Sequence, residues 1–329
     1  MRPMEADARL SRFSRQPRLG ADDKPIIVKR PSPADFEKFK VMARHRFLTC
    51  EWIAACTGGS ADFTVGRFNT LKRDPNNWVK VAGEVLENQR AYLFMPLFYE
   101  LDSKAITYLD ERGFSIPKRK TVKNFEHQAM TDQIMASFEI GAAEDPSVEI
   151  IPWSEIIATE KTPQKTRDAT APSVMPITFR FNGKNHDRKV SADAHPFGLR
   201  RKIDGKQSYI FLSGPETDCA TEPIETENFT NERTSIQGKL MAYLAIIEQR
   251  TFASQFGFPN FFVPFYTTTN RRMESMMRML SKLTGGKGSK NILFATHPSI
   301  YAVERAVPSG KSLTQSYKRV GYPDFYLNQ

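Results

Sequence analysis

The sequence predicts a mixed α+β to α/β chain in two parts: an N-terminal winged helix-turn-helix, then an α/β domain built on a mixed sheet. Three observations predict this. Residues 31–117 hold three short capped helical segments followed by two strand-like runs. From residue 125 the periods read a helix, strand-like segments, a long helix and a further strand, the order of an α/β core. The 329 residues, 40% of them hydrophobic, exceed one ordinary domain and can supply two cores.

Residues 1–30 are polar and basic without an apolar run, which predicts a disordered basic tail and neither a signal peptide nor a membrane anchor. Ser32-Pro33 then reads as cap and first-turn proline of a helix running to about Arg46, with Phe36, Phe39, Val41 and Met42 near helical spacing. Thr49 caps a second helix, CEWIAAC, that stops at Gly58-Gly59. Ser60 or Asp62 caps a third, FTVGRFNTLKR. Val65, Phe68 and Leu71 fall on one apolar face of it, leaving Arg67, Asn69, Thr70, Lys72 and Arg73 to reach base edges or phosphates. Two strands, WVKVAG and YLFMPLFYEL, follow with Gly83 to Arg90 as the wing, and a helix from Asp102 to about Arg112 closes the domain.

Lys118, Arg119, Lys120 and Lys123 make a basic bridge, either solvated or touching phosphate. The second domain, residues 125–298, opens with the helix EHQAMTDQIMASFEIGA and the strand VEIIPW. Residues 159–176 read as an exposed loop, and ITFRFNG, VSADAHPFGLR and QSYIFLSG as strands. A long helix from about Asn231 to Gln255 carries Ile236, Leu240, Tyr243, Leu244 and Ile247 on one face. FFVPFYTTT and NILFATH are further strands, separated by a helix capped at Asn270 whose methionines serve packing. Residues 299–329 show no clear period and read as a C-terminal tail.

The formal net charge of +10 is uneven: residues 1–124 carry 23 Lys+Arg against 15 Asp+Glu, the rest 24 against 22. Such polarity fits either a first part that meets a polyanion or plain solubility. Cys50, Cys56 and Cys219 are odd in number and show no CxxC spacing, which suggests neither a zinc knuckle nor a disulfide framework and fits a reducing cytoplasm. No apolar segment approaches membrane-spanning length. TGGKGSK lacks the spacing of a phosphate loop, and nothing matches a Rossmann fingerprint, an HExxH helix or a Ser-His-Asp set.

The chemistry-bearing set is Asp193, Glu216-Thr217-Asp218 and Lys239. Carboxylates from neighbouring strands are hard oxygen ligands suited to Mg²⁺, and a nearby lysine orients water or stabilises phosphate charge. Asp193, Glu216 and Asp218 are the candidate metal ligands, and with Lys239 the candidate catalytic residues. A salt-bridge network that only supports the fold remains the rival reading. Gly214-Pro215 must interrupt the strand before Glu216. His195, His186 and His297 are candidate proton carriers.

At ARHRFLTCEWIAACTGGSADFTVGRFNTLKR, FYELDSKAITYLDERG, SADAHPFGL, ETDCATEPI and SIQGKLMAYLAI the chain resembles the replication-relaxation family of plasmid and mobile-element proteins, over about residues 33–297. The resemblance implies a winged helix joined to a restriction-endonuclease-like, PD-(D/E)xK domain, with Asp193 as first acid and Glu216 as second. Asp218 stands where that pattern expects lysine, Lys239 on the helix is the candidate substitute, and Ala192 replaces the motif's proline. The expected function is a cytoplasmic protein of a plasmid, phage or integrated element that binds double-stranded DNA, as a Mg²⁺-dependent endonuclease or nickase. The alternative is a non-catalytic replication or transcription regulator. A homodimer is a candidate assembly, although no heptad pattern predicts one.

Overall fold

The computed structural model describes residues 11–17, 19–114, 116, 122, 124–226 and 235–329. It is a mixed α+β structure of helices and several small sheets. The chain divides into two compact units, residues 1–136 with 307–309, and residues 137–306 with 310–329. Among the described residues no helix is long and apolar enough to cross a membrane.

The first unit begins its helices where the sequence supplies caps. In α1 (Pro33–Arg44) the Ser32 hydroxyl accepts from Asp35 N at 3.2 Å and the Asp35 carboxylate accepts from Ser32 N at 2.8 Å, a reciprocal capping box. After β1 (Leu48–Thr49), α2 (Cys50–Thr57) ends on Gly58 at φ 70°, and α3 (Ala61–Leu71) starts on Ser60. Strands β2 (Val79–Val81) and β3 (Phe98–Leu101) complete an antiparallel sheet in the order β1-β3-β2, and α5 (Ser103–Asp110) follows its Asp102 cap. Trp78 anchors the core: its ring stacks on Phe39 and meets Tyr108 edge-on, while its indole N–H donates to the Val28 carbonyl at 3.1 Å.

Several expectations change here. The expected wing is a short helix, α4 (Gly83–Glu87), whose Val85 is buried, and the second strand shrinks to Phe98–Leu101. The described part of the N-terminal segment, largely exposed, is anchored at single points. Arg12 donates to the carbonyls of Leu93 and Met95, Val28 N donates to Asn76 Oδ1, and Phe13 and Val28 are buried. The Arg12 bonds give partners to carbonyls of the loop after α4, and the Val28 bond ties the segment to the connection between α3 and β2. In α3 the buried face is Thr64, Phe68, Thr70 and Leu71, whereas Val65 and Phe63 face solvent, because α3 packs along its i, i+4, i+7 row. Lys118, Arg119, Lys120 and Lys123 lie outside the described residues.

In the second unit β4 (Val148–Ile151), β7 (Phe197–Ile203) and β8 (Lys206–Leu212) pair antiparallel, with β7 central. β9 (Glu216–Asp218), β10 (Val263–Thr267) and β11 (Ile292–Thr296) pair parallel, with β10 central. A parallel bridge from Leu212 to Phe262 carries the pairing from β8 across to β10, so β8 and β9 are one strand path broken at 213–215. The helix α6 (Phe125–Glu144) precedes β4, α7 (Trp153–Ala158) and α8 (Gln164–Arg167) follow it, and a separate hairpin joins β5 (Met175–Phe181) to β6 (Lys184–Val190). Helices α9 (Ile236–Gln249), α10 (Thr251–Phe256) and α11 (Asn270–Leu283) contribute Leu240, Tyr243, Ile246, Phe252, Met276 and Leu280 to one apolar core with Phe265 and Phe294.

The expected long helix breaks at Arg250, which is left-handed at φ 53°, and its start at residues 231–234 lies outside the described residues. The 159–176 loop is pinned where Thr162 and Thr166 donate to the carbonyls of Phe256 and Gln255. Residues 299–329 are not a loose tail: α12 (Lys311–Thr314) follows, Leu313, Tyr317 and Leu327 are fully buried, and Lys318 bridges Phe294 of β11.

Candidate functional site

Asp193 lies in the connection between β6 and β7 rather than in a strand. Two bonds tie that connection to the start of β9: Asp193 N donates to the Pro215 carbonyl at 3.2 Å, and its carboxylate accepts from Thr217 N at 2.7 Å. Gly214 makes the approach possible. It sits at φ 90°, and a Cβ there would lie 2.4 Å from the Ala194 carbonyl oxygen. The break foreseen at Gly214-Pro215 is thus the feature that brings Asp193 beside Glu216.

The Glu216 side chain is buried and meets α9. Tyr243 donates to one carboxylate oxygen at 2.5 Å, and Lys239 Nζ lies 3.2 Å from the other and 3.1 Å from Glu222. Burial pushes the Glu216 carboxyl up to about 7; Lys239 opposes that rise and Asp193 adds to it. Burial works to discharge Lys239, but Glu216, Asp193 and Glu222 outweigh it and hold the ammonium well above its ordinary value. Tyr243 is likewise pushed up, first by burial and then by the Glu216 charge. Asp193, Glu216, Lys239, Tyr243 and Glu222 therefore form one electrostatically linked cluster. Lys239 sits one turn before Tyr243, so both reach the same carboxylate.

Asp218 is held differently. Arg272, at the start of α11, grips its carboxylate at 2.8 and 3.3 Å, the Thr267 hydroxyl donates to it at 2.9 Å, and Arg272 also donates to the Glu222 carbonyl. Its side chain is 2% exposed. Asp218 is thus committed to an ion pair that ties β9, β10 and α11 together, as the fold-supporting reading anticipates. Among the described residues no group of three His, Cys, Asp or Glu side chains is disposed to hold a metal ion.

His195 stacks on Trp153, His186 stacks on Phe179, and burial, followed by Lys311, lowers His297 to about 3 and keeps it neutral. Of the residues expected to meet DNA, Arg67 makes a two-point pair with Asp35 at 2.9 and 2.6 Å. Thr70 and Lys72 are buried, with Lys72 donating to the Arg12 carbonyl, and Asn69 and Arg73 are half-buried. The sequence reading missed Glu222 and Arg272 as site residues and placed Tyr243 on the apolar face without its hydroxyl's role. The i, i+4 spacing of Lys239 and Tyr243 was the available signal; the pairing of Arg272 with Asp218, 54 positions away, left none. Comparison with known proteins gives no match: no family model, no curated protein and no solved structure is similar to the chain.

Proposed function

We propose that the chain is a double-stranded-DNA-binding protein of a plasmid, phage or integrated element, with a winged helix for binding and a PD-(D/E)xK-like second domain that cuts or nicks DNA with Mg²⁺. The observation that carries this reading is the convergence of Asp193, Glu216 and Lys239. Two orders support it. The first unit runs helix, strand, helix, helix, strand, short helix, strand, helix, with β1 against β3 and the short α4 in the place of a wing. The second runs helix, three antiparallel strand paths, helix, then a parallel strand, with the hairpin β5–β6 inserted after the first strand.

The donor set suits Mg²⁺, which is commonly held by one or two carboxylates with phosphate and water completing the shell. Asp193 and Glu216 would hold it, and Asp218 drops out of the ligand set because Arg272 and Thr267 occupy it. When bound, the ion would polarise a phosphodiester and activate water. Lys239 would hold positive charge beside the phosphate, Glu222 would keep that ammonium in place, and Tyr243 would orient the Glu216 carboxylate. The purified chain should linearise or nick supercoiled plasmid in MgCl₂ and not in EDTA. Asp193→Ala and Glu216→Ala should abolish cutting and preserve binding; equal cutting by all three proteins sinks the site.

One observation favours a second reading. Both oxygens of Glu216 already have protein donors, so the cluster is also satisfied as a closed network. A non-catalytic replication or transcription regulator then results, and DNA binding with no cleavage and no metal binding would identify it.

A further inference from the structure

We propose that the β5–β6 hairpin is a phosphate-guiding arm that grips duplex DNA beside the acid cluster, an inference that rests on the DNA-binding reading above. Among the described residues the hairpin pairs with no other strand. Its inner face, Met175, Ile177 and Phe179, is buried in the core, and Gln249 of α9 donates to the Thr178 carbonyl. It is therefore a braced arm rather than a loose loop. Asn182 and Gly183, at φ 47° and 78°, close it with the two left-handed residues that a tight right-twisted hairpin turn needs.

Cross-strand register places Pro176 with Lys189, Thr178 with Asp187 and Arg180 with Asn185 on the outer face. Arg180 and Lys189 on this face, and Lys184 at the tip opposite Phe181, are exposed and make no ion pair among the described residues. In this they differ from Arg200, Arg67 and Arg272, each matched to a carboxylate. The one acid on the hairpin, Asp187, accepts from the Thr178 hydroxyl at 2.5 Å. A braced ribbon with unmatched cations complements a polyanion, and β-ribbons of this width fit DNA grooves.

Position ties the arm to the cluster. β6 runs out at Val190, and Asp193 follows three residues later. Lys189 thus lies at most about 14 Å along the chain from Asp193, or roughly four nucleotide steps along one strand. Lys184 lies about 17 Å further along β6, roughly five steps more. The arm would hold the backbone on one side of the bond presented to Asp193 and Glu216.

The test compares the full chain with R180A/K184A/K189A and with a charge-matched control, K165A/K202A/K206A, all substituted at exposed positions. Affinity for a random-sequence 30-bp duplex is read by fluorescence anisotropy across a salt series. Each lost phosphate contact removes about 0.9 from the log–log salt slope, so the arm variant should lose about two to three while the control stays within about one of wild type. Its Kd at 100 mM salt should rise at least tenfold. An unchanged slope in the arm variant, with wild type still binding, overturns the arm and leaves the DNA-binding reading intact. Equal losses in both variants overturn it too, since bulk charge then explains binding. Absence of duplex binding by wild type removes the DNA-binding reading and the arm with it, as does a preference for vesicles of anionic phospholipid.

Discussion

Replacing Arg272 with alanine strips the cation from a carboxylate that is 2% exposed. Asp218 would lose both of its guanidinium bonds, at 2.8 and 3.3 Å, and keep the Thr267 hydroxyl at 2.9 Å. Breaking a buried ion pair from one side costs about 3–5 kcal/mol, because the remaining charge is left desolvated. The loss should appear in urea denaturation of the full chain followed by far-UV circular dichroism, as an earlier transition of the second unit. Asp218→Asn in the same background should recover much of it, giving a coupling of at least about 2 kcal/mol in a double-mutant cycle. A cost below about 1 kcal/mol, the range of solvent-exposed pairs, would refute the argument and free Asp218 for the ligand role the sequence proposed.

His297 is buried and held near 3 against an ordinary 6.5. The unfolded chain therefore takes the proton first, and stability should be full above pH 6.5 and fall as pH drops toward 3, by at most about 5 kcal/mol; His297→Asn should flatten that slope in denaturation curves. Gly214→Ala places a Cβ 2.4 Å from the Ala194 carbonyl oxygen at φ 90°, so it should cost at least about 2 kcal/mol and displace Asp193 from Thr217 N, seen as loss of that amide's exchange protection. Arg67→Ala should destabilise the first unit by about 1–3 kcal/mol by unpairing Asp35, the acid of the α1 capping box; an unchanged melting temperature would contradict it.

Local signals carried most of the readable fold. Ser32-Pro33 and Ser60 capped the helices they were expected to cap, and Phe68 and Leu71 are buried as their spacing implied. Long-range partners were not readable. Val65 was grouped with Phe68 by an i, i+3 spacing, yet packing of α3 chose the Thr64 row and turned Val65 outward. Arg67 and Lys72 looked free because their partners Asp35 and Arg12 lie 32 and 60 residues away, and Thr70 because the packing that buries it is long-range. For the same reason Asp218, two residues from Glu216 on an extended strand, looked like a third ligand until α11 supplied Arg272. The tails misled through composition: aperiodic polar sequence predicts disorder, but single anchors such as Arg12, Tyr317 and Leu327 fix such segments.

Asp193 and Glu216, without Asp218, are the proposed divalent-cation site. Titration of the full chain with Mn²⁺, followed by the loss of the free-ion electron paramagnetic resonance signal, tests it directly in wild type, Asp193→Asn, Glu216→Gln and Asp218→Asn. Wild type should bind one ion, the first two variants should lose at least about tenfold in affinity, and Asp218→Asn, whose carboxylate Arg272 and Thr267 already occupy, should stay within about threefold. Wild type that binds no ion, or an Asp218→Asn protein that loses binding as fully as the other two, would contradict the account.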